Sequence, residues 1–194
     1  MKRSFLTILC LLCFISLFAQ KTTVVECDSI YKNKGISIKI KNFEAESEGY
    51  DGEKNSILII NQKLNGKNSV LVKDSIFSLV QKIEFQDFNN DKIKDILVQN
   101  ISDVRSNWTY NLYLYHPKTN SFSKVIGFNE IKNPSYNSKY NLIESHVNSG
   151  TNWAAFYKIK NNKVHNYHIE ITDDGSAKSE KDYQRALKKI TEKK

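Results

Sequence analysis

The chain has 194 residues and a formal net charge of +8, from 29 Lys and Arg against 21 Asp and Glu. Residues 176–194 carry seven basic and three acidic residues, a net +4, whereas residues 20–175 carry 20 basic and 18 acidic residues, a net +2. A nearly balanced body with a basic tail lacks the clustered basic face that nucleic-acid binding needs, so nucleic acid is excluded as a partner.

Residues 1–19 have the parts of a secretory signal peptide. Lys2 and Arg3 form a positive start, residues 5–18 are mostly apolar, and Ala19 supplies the small residue before the cleavage site. The apolar run is shorter than the roughly 20 residues of a membrane span. We expect cleavage after Ala19, no transmembrane span after signal removal, and a periplasmic or secreted protein. A retained anchor helix is the alternative.

The mature chain of residues 20–194 has the length of one ordinary domain. Cys27 is its one cysteine, so it forms no internal disulfide. Cys27 is interpreted as a small buried apolar residue, with intermolecular pairing or reactivity as the alternative. Residues 20–175 are predicted to form the domain, and residues 176–194 a basic helical tail.

Most of the domain is predicted to consist of strands. Isoleucines alternate with polar residues over 36–41, which is the period of a half-buried strand. Asn65-Gly66 and Asn161-Asn162 separate apolar runs and indicate hairpins. The predicted strands cover residues 22–27, 36–41, 56–64, 70–72, 75–85, 94–100, 109–116, 121–125, 139–147, 153–160 and 164–171.

Only residues 179–193 have helical spacing, with one short apolar stripe. The expected fold is therefore mainly β, an antiparallel β-sandwich with a short C-terminal helix, and a small closed sheet is the alternative.

One acidic loop, residues 87–95, is predicted to bind calcium. Oxygen side chains recur at its loop positions 1, 3, 5 and 9, and a backbone carbonyl serves at position 7. Ca²⁺ accepts six to eight oxygen ligands in irregular geometry. The proposed ligands are Asp87, Asn89, Asp91, Asp95 and the carbonyl of Ile93.

The loop departs from the EF-hand pattern at two positions. Lys92 stands where a glycine is usual, and Val98 where a bidentate glutamate is usual. A non-glycine residue held at positive φ costs about 1 kcal/mol. A metal-free polar turn is therefore the alternative.

The sequence contains no motif that indicates catalysis. Nucleophile elbows, phosphate-binding glycine loops and CxxC pairs are absent, and no set of nucleophile, base and orienting residue is recognisable. His165 and His168, three apart on a predicted strand, are expected on opposite faces and not on one metal. We predict no catalytic residues and no enzyme activity.

Two stretches carry a family resemblance. The loop from Phe85 to Asp91, followed by Asp95-Ile96-Leu97-Val98, resembles the calcium loop of FG-GAP repeats, with Asn90 and Lys92 replacing the two glycines. The order of motifs over residues 111–122, 131–134 and 149–158 is similar to a family of single-domain periplasmic proteins with one calcium loop, which includes an immunity lipoprotein of xanthomonads. The composition resembles that of exported proteins of the Bacteroidetes.

The resemblance implies a C2-like sandwich, related to periplasmic lysozyme inhibitors, that binds one structural Ca²⁺ and occludes the cleft of a lysozyme-like peptidoglycan hydrolase. The partner would be that hydrolase or another envelope protein. A short turn with hydroxyls, amides and an aromatic ring suits such a cleft, and the candidate is Ser149, Gly150, Thr151, Asn152 and Trp153.

Two alternatives remain. Residues 149–153 could form an ordinary glycine turn with Trp153 in the core. The protein could also be a general envelope module that recognises glycan or protein without inhibition, which a broad aromatic surface of Trp108, Tyr110, Tyr113 and Tyr115 would favour.

Overall fold

The computed structural model describes residues 21–43 and 54–192. The predicted signal peptide and the acidic residues between Phe43 and Lys54 lie outside the described residues. In the described part of the chain, twelve strands form three four-stranded sheets, and one long helix follows the last strand.

Each sheet is an antiparallel meander of four consecutive strands, so neighbours in the chain are neighbours in the sheet. Sheet 1 contains β1 (Thr22–Glu26), β2 (Ile36–Asn42), β3 (Ser56–Leu64) and β4 (Lys67–Ile76). Sheet 2 contains β5 (Ile83–Gln86), β6 (Asp95–Ser102), β7 (Trp108–His116) and β8 (Ser121–Lys124). A 3₁₀ turn (Phe128–Glu130) leads to sheet 3, which contains β9 (Pro134–Asn137), β10 (Leu142–Val147), β11 (Trp153–Lys160) and β12 (Lys163–Thr172). Helix α1 (Ala177–Glu192) completes the fold.

The sheets stack face to face, and sheet 2 lies in the middle. Ile96 and Val98 of β6 join a core with the isoleucines of sheet 1, whereas Leu97, between them in sequence, joins a second core with sheet 3. In β7, Tyr113 faces the first core and Leu112 the second. Because alternate side chains of a strand point to opposite faces, these apolar runs bury both faces of the middle sheet.

Helix α1 covers the outer face of sheet 3. Ala186, Leu187 and Ile190 form a third buried cluster with Phe156 and Leu142. The helix thereby forms a fourth layer, and its spacing of apolar residues agrees with the stripe predicted from the sequence.

The prediction of a mainly β, antiparallel fold with a C-terminal helix is confirmed. Both predicted hairpins form, because the turn residues take the left-handed conformation: φ is 51° at Asn65, 76° at Gly66, 51° at Asn161 and 57° at Asn162. The sequence patterns missed β9, whose residues Pro134–Asn137 have weak strand propensity and form a strand by pairing with β10.

In the ranges that the structure describes, no helix is long and apolar enough to cross a membrane.

Candidate metal centre

The acidic loop joins β5 to β6 and is anchored in both cores. Phe88 is buried in the second core, with its ring centroid 5.1 Å from that of Phe128. Ile93 contacts the first core. The Tyr31 hydroxyl, from the β1–β2 connection, donates a 2.8 Å hydrogen bond to the carbonyl of Lys94. The loop is therefore held at both ends by residues distant in sequence.

Three side-chain oxygens accept hydrogen bonds from backbone N–H groups two residues ahead. Asp87 Oδ1 accepts from Asn89 at 3.0 Å, Asn89 Oδ1 from Asp91 at 3.1 Å, and Asp91 Oδ1 from Ile93 at 2.8 Å. Asp87 Oδ2 also accepts from the N–H of Lys92 at 2.8 Å. These consecutive Asx turns hold residues 87–93 in a tight bend.

Asn90 and Lys92 both take the left-handed conformation, with φ of 64° and 67°. The calcium loop of FG-GAP repeats, which this loop resembles, has glycine at both positions. The lysine at position 6 therefore does not prevent the bend, although the conformation costs a non-glycine residue about 1 kcal/mol.

Asp95 is the buried member of the set. Its side chain is fully buried, and its two oxygens accept hydrogen bonds from the N–H groups of Phe88 at 2.9 Å and Tyr115 at 3.0 Å. Burial raises the pKa of Asp95 to about 7, and the nearby carboxylates of Asp91 and Asp87 add to the rise. A cation next to Asp95 would lower the cost of its charge.

The candidate ligands suit Ca²⁺ because all of them are oxygen atoms, but their side chains do not converge on one point. Across residues 21–43 and 54–192, no group of three or more His, Cys, Asp or Glu side chains converges as metal ligands do. Each carboxylate oxygen has two lone pairs, so an oxygen that accepts an N–H group can still bind an ion. Asp87, Asp91 and Asp95, with Asn89 and the Ile93 carbonyl, are all oxygen donors of the kind calcium takes. Calcium binding by these five residues stays a prediction.

The second predicted site, residues 149–153, lies in the turn between β10 and β11. Thr151 and Asn152 are exposed, and Trp153, the first residue of β11, is half-buried. Ser149 N–H donates to Asn152 Oδ1 at 3.0 Å, and the Ser149 hydroxyl donates to the carbonyl of Thr151. The turn is therefore accessible, with Trp153 at its base.

The turn and the acidic loop lie at opposite ends of the molecule. The acidic loop leads into β6 at Asp95. The 149–152 turn lies near the other end of β6, because Asn148 is hydrogen-bonded to Asn107, which directly precedes β7. Eight extended residues separate these ends by about 25 Å. A metal in the loop would therefore not contact a partner held by the turn.

Asn107, which the sequence patterns missed, joins three loops. Its Oδ1 atom accepts from the N–H of Asn148 at 2.8 Å and from Asn133 Nδ2 at 3.0 Å. Its Nδ2 atom donates to Asp103 Oδ2 and to the carbonyl of Asn148, both at 2.8 Å. The side-chain hydrogen bond that Asn107 donates to Asp103, with that of Lys132, lowers the pKa of Asp103. The sequence feature that points to this role is the short spacing between Asp103 and Asn107 in a polar segment. It is not specific, because Asn and Asp are common in any turn.

A second missed cluster lies between sheet 3 and α1. Glu144 is buried, accepts a 2.7 Å hydrogen bond from Asn137 Nδ2, and lies 3.5 Å from His146 Nε2. Burial raises its pKa, but hydrogen bonds from His146, Asn137 and Tyr183 outweigh this, so the pKa of Glu144 is lowered. The hydrogen bond with Glu144 raises the pKa of His146.

Tyr113 and Tyr115 are 0% and 3% exposed, so with half-buried Trp108 and Tyr110 they do not form a broad aromatic surface. His165 packs edge-on against Tyr167, and His168, with a φ of 54°, lies where the ladder between β11 and β12 is irregular. That the two histidines face opposite sides of the strand stays a prediction.

Cys27 is fully buried, as its interpretation as a small apolar residue predicts. Burial raises the pKa of its thiol to about 12, which keeps it protonated near neutral pH.

Comparisons with known proteins add a distant structural likeness. No protein-family model matches the chain, and no curated protein matches it significantly. A solved structure described as that of a Xanthomonas type IV secretion system related protein superposes with a TM-score of 0.47 at 17% sequence identity, covering 84% of this chain and 87% of that one.

Proposed function

We propose that this chain is an exported, non-enzymatic protein that binds one Ca²⁺ in the acidic loop and inhibits a lysozyme-like peptidoglycan hydrolase. The observation that supports the metal is the conformation of the loop. Consecutive Asx turns and left-handed residues at Asn90 and Lys92 hold the loop that carries the candidate ligands in a tight bend.

The role proposed for calcium is structural. Asp91 would exchange its contact with Asn89 Nδ2 for the ion, and the charge of the cation would compensate for the buried carboxylate of Asp95. Binding to the folded state adds RT ln(1 + [L]/Kd) to the free energy of unfolding, where [L] is the free calcium concentration and Kd the dissociation constant. Because the loop is far from the 149–152 turn, the ion would act on stability and not on the partner directly.

The inhibitory surface proposed is the 149–152 turn with Trp153 at its base. The turn is exposed, and the buried side chain of Asn107 holds it at Asn148 through two hydrogen bonds of 2.8 Å. A turn held in this way loses little conformational freedom on binding, which favours insertion into a preformed cleft.

Calcium binding is tested by thermal unfolding in calcium and in EDTA. At a calcium concentration of about a hundred times Kd, the expected rise in Tm is roughly 5–10 °C for a domain of this size. Asp91→Ala is expected to abolish the rise, and Asp28→Ala, an exposed aspartate in the β1–β2 connection, is expected to preserve it. No rise in the unsubstituted protein would show that the loop is a metal-free turn.

Inhibition is tested by turbidity assays of cell walls with lysozyme-like hydrolases, including those of the same organism. The mature protein is expected to slow lysis at stoichiometric concentration. Thr151→Arg is expected to weaken inhibition, whereas Thr119→Arg, an exposed threonine in the β7–β8 turn at the opposite end, is expected to leave it intact. Equal inhibition by both variants would exclude the 149–152 turn as the contact surface.

A further inference from the structure

A groove of about 480 Å³ lies on the outer face of sheet 3, between the C-terminal end of α1 and strands β11 and β12. Its lining includes Lys158, Lys160, His165, His168, Tyr140 and Tyr167. Its volume is within the range of roughly 300–1,000 Å³ that small-ligand sites occupy. The groove is separate from the acidic loop and from the 149–152 turn.

The formal charges in the lining of this groove come from Lys158 and Lys160, and both are positive. Lys158 lies directly opposite His165 in the β11–β12 ladder, and Lys160 lies directly opposite Lys163. Like charges opposite each other, as at Lys160 and Lys163, destabilise a sheet. Within the described residues, no acidic side chain lines the groove and none of these four residues forms an ion pair. The fold therefore tolerates an unfavourable arrangement here that a neutral pair would avoid.

The groove on the other side of the same helix has a different character. It has a similar volume, about 450 Å³, but its lining balances three acidic residues against three basic ones: Glu170, Asp174, Asp182, Lys178, Arg185 and Lys189. The excess of positive charge is thus specific to the groove at the C-terminal end of α1, and is not a general property of the helix surface.

Two half-buried tyrosines add apolar surface to the cationic groove. The ring of Tyr167 packs edge-on against His165, with centroids 5.1 Å apart, and Lys139 Nζ lies 4.9 Å from the ring centroid of Tyr140. Aromatic rings with a polar tip can stack on the C–H faces of sugars while their hydroxyls form hydrogen bonds.

We propose that this groove binds an acidic glycan, a sugar chain that carries carboxylates. Lysines would neutralise the carboxylates, the tyrosines would contact the sugar rings, and Asn166 and Thr191 would supply hydrogen bonds. The inference does not depend on calcium or on inhibition.

The test measures the affinity of the mature protein for oligogalacturonate at low salt by titration calorimetry, with a neutral galactan oligomer of equal length as the reference. The double variant Lys158→Gln with Lys160→Gln is expected to raise the Kd about tenfold. The double variant Lys39→Gln with Lys73→Gln makes the same charge change on sheet 1, where both residues flank Ile59 in the ladder, and is expected to leave the Kd unchanged.

Three results would overturn the proposal. These are equal affinity for the neutral oligomer, equal weakening by both double variants, and no binding of oligogalacturonate at millimolar concentration. Tighter binding of a dT oligonucleotide or of polyglutamate would assign the groove to nucleic acid or to acidic protein instead. Circular dichroism of each variant separates a loss of binding from a loss of fold. Loss of hydrolase inhibition with glycan binding intact would refute the proposed function and leave this inference standing.

Discussion

The carboxylate of Asp95, at the start of β6, accepts a 3.0 Å hydrogen bond from the backbone N–H of Tyr115 on the neighbouring strand β7. Its other oxygen accepts from the N–H of Phe88 at 2.9 Å, and both hydrogen bonds are buried. One side chain thus satisfies two backbone donors that have no access to water, and it links the acidic loop to the middle sheet.

We therefore expect Asp95→Ala to destabilise the protein even without metal. It leaves two buried N–H groups without acceptors, so the free energy of unfolding in EDTA should fall by about 2–4 kcal/mol. Asp91→Ala removes an exposed carboxylate of the same loop, and water can replace its contacts, so the loss should stay below about 1 kcal/mol. Urea unfolding measures both; equal losses would contradict the structural role of Asp95.

Lys92 provides a test of backbone strain in the loop. Its φ of 67° favours glycine, so Lys92→Gly should relieve backbone strain in the folded state. This gain offsets the larger conformational entropy that glycine loses on folding. Lys94→Gly, two residues further on and outside the left-handed region, gains no such relief. We expect the Lys92 variant to be more stable than the Lys94 variant by about 1 kcal/mol, measured by chemical denaturation. The reverse order would show that the loop relaxes away from this conformation in solution.

Local patterns were sufficient where a local conformation decides the structure. Asn65-Gly66 predicted a hairpin because those residue types adopt positive φ readily, and both do so. The alternation of Ile36, Ile38 and Ile40 predicted a strand with one buried face, and all three side chains are fully buried. Local patterns did not predict the stacking of three sheets, because it depends on which face of β6 meets which neighbouring sheet.

The candidate site was predictable in its members but not in its connections. Asp95 was recognisable from its spacing to Asp87, but its hydrogen bond to Tyr115 depends on the register of β6 and β7 across 20 positions of sequence. Asn107 was not recognisable, since a buried asparagine that joins three loops has the same sequence appearance as an exposed one in a turn.

Asn107 therefore gives a prediction about the 149–152 turn. Asn107→Ala removes hydrogen bonds to Asp103, Asn133 and Asn148, so we expect a loss of about 2–3 kcal/mol in the free energy of unfolding. Hydrogen exchange should become faster at residues 148–152 first, because their anchor is lost. Asn152→Ala, an exposed residue of the same turn with one such contact, should cost less than about 1 kcal/mol. Unchanged exchange at the turn would show that Asn107 does not hold it.

The cluster under α1 predicts how pH affects the packing of the helix. The pKa of Glu144 is lowered in the folded state, so its contribution to stability is complete above the ordinary glutamate pKa of about 4.3 and is lost as the pH falls through the lowered value. The pKa of His146 is raised, so its contribution is complete below about 6.5 and is lost as the pH rises through the raised value. Both contributions are complete between about pH 4.3 and 6.5.

Glu144→Gln should flatten this dependence. At pH 5.5 we expect the variant to lose about 1–2 kcal/mol, mostly from the hydrogen bonds of the buried carboxylate. The interaction with His146 accounts for only roughly 0.3 kcal/mol of this loss, because the His146 side chain is about half exposed and solvent screens its charge. Asp173, Glu180 and Tyr183 also face this cluster, and Glu192→Gln, at the exposed end of α1, serves as the matched control. Unfolding curves from pH 3 to 8, with the ring resonances of His146 followed by NMR, measure the effect. Parallel pH profiles for wild type and Glu144→Gln would show that the cluster does not control the docking of the helix.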